Sequence, residues 1–303
     1  MTIKPSCSWL PAALFLLAGC ASTPEFTADT SLLVPWSGEA QSRMPEPPYV
    51  ARYEREGKSL AYVAARHEHA VGNETFQLIE REFESFRPDV VIVEGLETVH
   101  GSSPAFYLEG VERTQHGASY PMGEAGFAAS LATASGIPFF GGEPSEEEIR
   151  DAVVVDPIEL NDLICFYVVR QVPQWKRTGE DQESSFDELY AQLIGHYRRE
   201  LSLEGDSFLD PREFGPWYEE RNGRPFRYDE VTTEESAPIE GLLFTNQLAF
   251  AIGQVRDSHI VRTIADLLNQ HDRVLVVYGA GHHVQQEKVL EAMMGNSPAV
   301  GGD

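Results

Sequence analysis

Residues 273–283 read RVLVVYGAGHH: Arg273, the apolar run Val274 to Tyr278, then Gly279-Ala280-Gly281-His282-His283. A short, β-branched run with no polar alternation predicts a strand buried on both faces, the signature of a parallel sheet covered by helices. The two glycines let the backbone turn sharply where the strand ends, and a short helix is expected from Val284 to Met294. Upstream the same grammar recurs. Ser59 to Ala65 (SLAYVAA), Asp89 to Val93 (DVVIV) and Ile137 to Phe140 (IPFF) read as further strands. Between them, Asn73 offers an N-cap ahead of Phe76, Ile79, Phe83 and Phe86 at helical spacing, and Pro88 stops that helix. Gly123 to Ser135 is an Ala-rich helix, and Ser145 with Glu148 forms a capping box. Strands alternating with helices predict an α/β fold, a mostly parallel sheet flanked by helices. The stretch at about 156–255 carries acidic loops and aromatic runs and predicts a helical insertion or lid.

Polar residues gather just past the predicted strand ends. Strand one runs into Arg66-His67-Glu68-His69, strand two into Glu94-Gly95-Leu96-Glu97, strand three into Gly141-Gly142-Glu143, and the last into His282-His283. Open α/β sheets build their sites at the carboxyl ends of strands. Four strands delivering His or Glu to one edge predict a single cleft. Glu94, directly after four apolar residues, must find a cation or hydrogen bonds there. Imidazole with carboxylate suits a divalent transition metal such as Mn, Co or Zn.

The chain of 303 residues carries 23 Lys+Arg against 48 Asp+Glu, a formal charge of -25, which repels nucleic acid and anionic headgroups. At the N-terminus, Lys4 precedes the apolar run Trp9 to Ala18, and Leu17-Ala18-Gly19-Cys20 closes it. That run is too short to span a bilayer. The arrangement predicts a signal peptide at 1–19 and resembles the lipobox of bacterial lipoproteins, which implies lipidation of Cys20. Ala21 and Ser22, with no Asp, resemble lipoproteins sent to the outer membrane, which implies a cell-envelope protein facing the periplasm. Residues 20–48, rich in Pro, Ser and Thr without an apolar period, read as a flexible tether, and the globular body as 49–303. Removal of Cys7 and lipidation of Cys20 leave Cys165 without a partner, a buried inert thiol in an apolar stretch.

The motifs of the body resemble the TraB/GumN/TIKI superfamily, related to erythromycin esterase-like and ChaN-like proteins. Two G-x-x-H motifs mark its TIKI-type members. Gly279-Ala280-Gly281-His282 matches the second. Ala64-Ala65-Arg66-His67 sits where the first belongs, with Ala in place of Gly. Glu94 within VIVEG and the pair Arg256-Asp257 opening a late helical stretch complete the resemblance, which covers about 59–97 and 256–291. It implies a metal-dependent protease or hydrolase acting on a peptide or small-molecule amide or ester. His67, Glu94 and His282 would then ligate the metal, with Glu143, Arg256, Asp257 and His283 as catalytic candidates and His69 and Glu97 in support. Esterase-like relatives imply a metal-free route through the same residues, with a histidine as general base. ChaN-like relatives imply haem binding, with the pair His282-His283 as axial ligands. A degenerate enzyme fold used for protein interaction is the third reading. Residues 67–71 do not form H-E-x-x-H, and no G-x-S-x-G elbow or dinucleotide loop is present. His67-Glu68-His69 matches the H-x-H of barrel metallohydrolases, but eight βα units are not available.

Overall fold

Backbone hydrogen bonding divides the chain, in a computed structural model that describes residues 25–114, 120, 122–203, 210–239, 243–296 and 299–301, into one sheet and two sets of helices. In chain order the elements are α1 (Gly38–Arg43), β1 (Tyr49–Arg55), β2 (Lys58–Ala65), α2 (Glu74–Phe86), β3 (Val90–Glu97), α3 (Ala105–Thr114), α4 (Gly123–Ala134) and β4 (Phe139–Glu143). There follow α5 (Glu146–Val153), α6 (Leu160–Thr178), α7 (Glu180–Glu183), α8 (Phe186–Glu200), α9 (Pro211–Asn222) and α10 (Phe244–Gln270). Then come β5 (Arg273–Gly279), α11 (Ala280–Met294) and β6 (Ala299–Gly301). The sheet order is β4-β3-β5-β2-β1-β6. The four strands β4, β3, β5 and β2 are parallel, and β1 and β6 extend the edge in antiparallel pairings. The fold is therefore α/β with a mostly parallel sheet.

Alternate residues along each strand enter opposite cores, as the period of two requires. Leu60, Tyr62 and Ala64 of β2 join Val274, Val276 and Tyr278 of β5 under α10 and α11. Ala61 and Val63 join Leu275 and Val277 under α2 and α4. The expected start signals are present. The Asn73 side chain accepts from Phe76 N, and Ser145 and Glu148 exchange capping bonds. The strand β1 was not foreseen. It turns back on β2 through Glu56 and Gly57, both at positive φ, the backbone of a tight two-residue hairpin.

A third core lies apart from the sheet. Phe166, Trp175, Tyr190, Phe214 and Tyr218 pack with Leu248 and Ile252, so the helices α5, α6, α8 and α9 enclose an apolar interior of their own. The helix α10 belongs to both bodies. Its first half packs in this helical core, and its second half, from Ile260, packs on the sheet.

The stretch read as a flexible tether departs from that expectation wherever it is described. Phe26 is buried in the sheet's core, and its backbone N–H and carbonyl both bond the Asn269 side chain at 2.8 and 2.9 Å. Val34 N donates to Gln285 O at 2.9 Å. Apart from the short helix α1, the segment packs as irregular chain with widely spaced anchors, so it leaves no apolar period in the sequence. The proposed signal, the lipobox and Cys20 lie outside the described residues. Among the described residues no helix is long and apolar enough to cross a membrane.

Candidate active site

Parallel pairing brings the two histidine motifs side by side. Ala64 pairs with Tyr278 and Ala65 with Gly279, so the chain leaves both strands at the same level. Just past this edge lies a cavity of about 470 Å³. Its floor is the strand ends with His67, Gly279 and His282, its roof is Phe166, Ala249 and Ile252 of the helical body, and Trp36 and Met44 of the N-terminal segment close one side.

Gly279 is the pivot of the floor. Its N–H donates to Glu94 Oε2 at 2.8 Å. A Cβ at this position would lie 2.8 Å from His67 Nε2 and 3.4 Å from Glu94 Oε2, so the absent side chain is what lets the His67 ring approach. His67 Nδ1 donates to Glu124 Oε1 at 2.6 Å. That hydrogen bond outweighs the opposing effect of burial and raises the imidazole pKa to about 9. His282 Nδ1 donates in the same manner to Asp257 Oδ1 at 2.8 Å. Burial disfavours the His282 imidazolium, but the Asp257 carboxylate reverses the balance and its pKa is raised. Two histidines thus have one ring nitrogen fixed by a carboxylate, the arrangement that orients a metal-binding or proton-transferring imidazole.

The opposite ends of these groups converge on Glu94. Its Oε1 lies 3.7 Å from His282 Nε2 and 3.5 Å from the Arg256 guanidinium. His67, Glu94 and Glu124 each offer a ligand atom within 4.8 Å of the others and could hold a metal ion. His282 lies beside this group. Glu124 was missed by sequence reasoning. It stands in the first turn of α4, where a carboxylate is explained by the helix dipole alone. The available signal was its isolation as the single charge on an otherwise apolar helix.

Four expectations need correction. Glu143 does not open onto this cavity. Both its oxygens bind Arg256 at 2.7 Å, and Tyr278 OH donates to it at 3.3 Å. Burial opposes its ionisation, yet the Arg256 guanidinium prevails and holds its pKa down at about 2. Both its oxygens are thus committed to holding Arg256. His283 does not reach the cleft. It is 2% exposed, and Tyr49 OH and Tyr53 OH engage its Nδ1 and Nε2 at 2.9 and 3.0 Å. Adjacent residues of a helix point about 100° apart, so one of the pair had to turn inward. His69 is exposed and bonds Tyr120 O at 3.2 Å, away from Glu94. Glu97 pairs in register with Glu143 and lies behind Arg256, outside the main cavity. Asp257 is fully buried and meets the cleft through its hydrogen bond to His282. Gln286 also donates to its Oδ1 at 2.6 Å, while its Oδ2 has no hydrogen-bond partner among the described residues. Cys165 is buried, and that burial pushes its thiol pKa up, so it has no thiolate character.

No family model, no curated protein and no solved structure matches this chain.

Proposed function

We propose that the chain is a hydrolase that activates water over Gly279, between His67, Glu94 and His282, to cleave an ester or amide bond. One observation carries the reading. His67 Nε2, Glu94 Oε1 and His282 Nε2 make no hydrogen bond with any described residue, although the far end of each group is fixed. Polar atoms fixed at the strand ends, with only the longer contacts of Glu94 Oε1 to Arg256 and His282 at 3.5 and 3.7 Å between them, suit a water, a substrate or a cation.

The donor set fits a divalent cation such as Mn, Co or Zn at His67, Glu94 and Glu124. Such an ion would lower the pKa of a bound water and polarise the scissile carbonyl. The chain's own groups supply the rest. Glu94 Oε1 faces the water as proton acceptor. His282, oriented by Asp257, stands ready to pass a proton to the leaving group. Arg256, fixed by Glu143, stands beside Glu94 where negative charge develops on the carbonyl oxygen. A metal-free variant of the same reaction is favoured by two further observations. The His67 imidazole has a pKa of about 9, so it carries a proton at neutral pH, and Arg256 already provides a cation against Glu94. The haem reading loses its second axial ligand, since both ring nitrogens of His283 are engaged.

The test is turnover of a panel of nitrophenyl esters and peptides. Glu94→Gln and His282→Ala should each lower kcat/KM by about a hundredfold or more, with the circular dichroism of the wild type retained. Wild-type turnover in both variants would overturn the reading. Chelation followed by Mn or Zn separates the two routes, since only the metal-assisted one loses and regains activity.

The same proposal places the enzyme in the cell envelope, held to the outer membrane by a lipid on Cys20. Retention of the Cys20→Ser chain in the membrane fraction would remove that part of it.

A further inference from the structure

A second cavity of about 300 Å³ adjoins the cleft, and Arg170, Ile252 and Arg256 border both. The charge around the main cavity runs against that of the chain. The protein carries a formal -25, yet the main cavity is bordered by Arg66, Arg170 and Arg256 with Asp257 as its acid, while Glu94, Glu97, Glu143 and Glu146 line the adjoining one. Two of these arginines are committed. Arg66 donates to Glu46 and to the Pro47 carbonyl, and Arg256 is held by Glu143. Arg170, on α6, makes no hydrogen bond or ion pair with any described residue and is exposed. Its acidic neighbour Glu146 already accepts a hydrogen bond from Tyr167 OH at 2.7 Å. One turn back on the same helix, Phe166 lines the cavity, facing Ala249 and Ile252 of α10.

We propose that Arg170 anchors a carboxylate on the substrate, whose apolar portion lies against Phe166, Ala249 and Ile252. The substrate class is then an apolar ester or amide bearing a carboxylate, of which a peptide with a free C-terminal residue is an example. A guanidinium grips a carboxylate through two parallel N–H bonds, and it discriminates best where no internal partner competes. Local positive charge is also what an anion needs to enter a strongly acidic protein. The proposal rests on the cleft being a substrate site, as the hydrolase reading holds. It assigns Arg170 to binding and not to the chemical step.

Titration calorimetry on the full chain tests it with two probes of one shape, N-acetylphenylalanine and its neutral primary amide. The acid should bind about tenfold more tightly than the amide. Arg170→Gln should remove that preference and leave amide binding unchanged, and Arg170→Lys should restore part of it. Equal binding of acid and amide to the wild type, undiminished acid binding in Arg170→Gln, or no binding of either probe overturns the proposal. The two readings fail separately. If Glu94→Gln and His282→Ala both keep full turnover while Arg170→Gln loses the acid, the hydrolase reading falls and the anion site stands. If Glu94→Gln is inactive and Arg170→Gln binds the acid normally, the reverse holds.

Discussion

Gly279 shows how much a missing side chain can decide. Its hydrogen atom occupies the place from which a methyl group would push His67 Nε2, at 2.8 Å, and crowd Glu94 at 3.4 Å. The displaced atoms are the tip of a mobile ring and of a carboxylate, so the fold should absorb Gly279→Ala while the site does not. We expect kcat/KM to fall by about tenfold or more, since small misplacements of reacting groups are costly, with Tm shifted by only a few degrees. Loss of folded protein in place of lost activity would show that Gly279 serves the backbone and not His67. Much of this site is legible in the residues alone. Glu94 follows four apolar positions of β3, and His282 follows β5, so each was bound to emerge at the strand ends. His283 and Glu143 were misread for one physical reason. Sequence places a residue at an edge, but the side-chain direction and the strongest available partner decide what it does there.

At the scale of elements, α10 joins the two bodies of the molecule. Its 27 residues run from the helical core to the sheet, and Arg256 and Asp257 sit where the helix passes between them. The helix thereby delivers the cation that pairs with Glu94 and the carboxylate that holds His282. Its last turn also holds the N-terminal segment through Asn269. Asn269→Ala removes both hydrogen bonds to Phe26 and leaves a partly buried N–H and carbonyl unpaired. We expect a loss of about 1–3 kcal/mol, read as a Tm lower by a few degrees, with earlier proteolysis between residues 25 and 36. An unchanged Tm would mean that the segment is held by apolar contact alone. Phe26 packs near the start of β5, whereas the cleft lies past its end. The six peptide links from Cys20 to Phe26 reach at most about 20 Å. A lipid on Cys20 would therefore hold the body close to the membrane by the end opposite the cleft.

For the whole molecule, the buried His283 ties stability to pH. Burial lowers its pKa from 6.5 to about 4. The unfolded chain binds this proton more readily than the native one, so stability rises with pH between about 4 and 6.5. Above that window the contribution is complete, and it is lost as the pH falls through it, by up to about 3 kcal/mol. His283→Gln can engage Tyr49 and Tyr53 without titrating. Urea unfolding at successive pH values should show a flatter acid limb for this variant. Identical slopes for variant and wild type would remove His283 as the cause.

The apolar runs and their caps determined the four parallel strands and the helices α2, α4 and α5 by themselves, because burial on both faces and N-terminal capping are local properties that composition and spacing encode. Tertiary structure alone decided that Glu124 steadies His67, that Glu143 serves Arg256, that His283 turns into the core and that the N-terminal segment walls the cleft. Those outcomes depend on which groups meet across long separations in the chain, where the winning contact is set by distance and desolvation and leaves no period in the sequence.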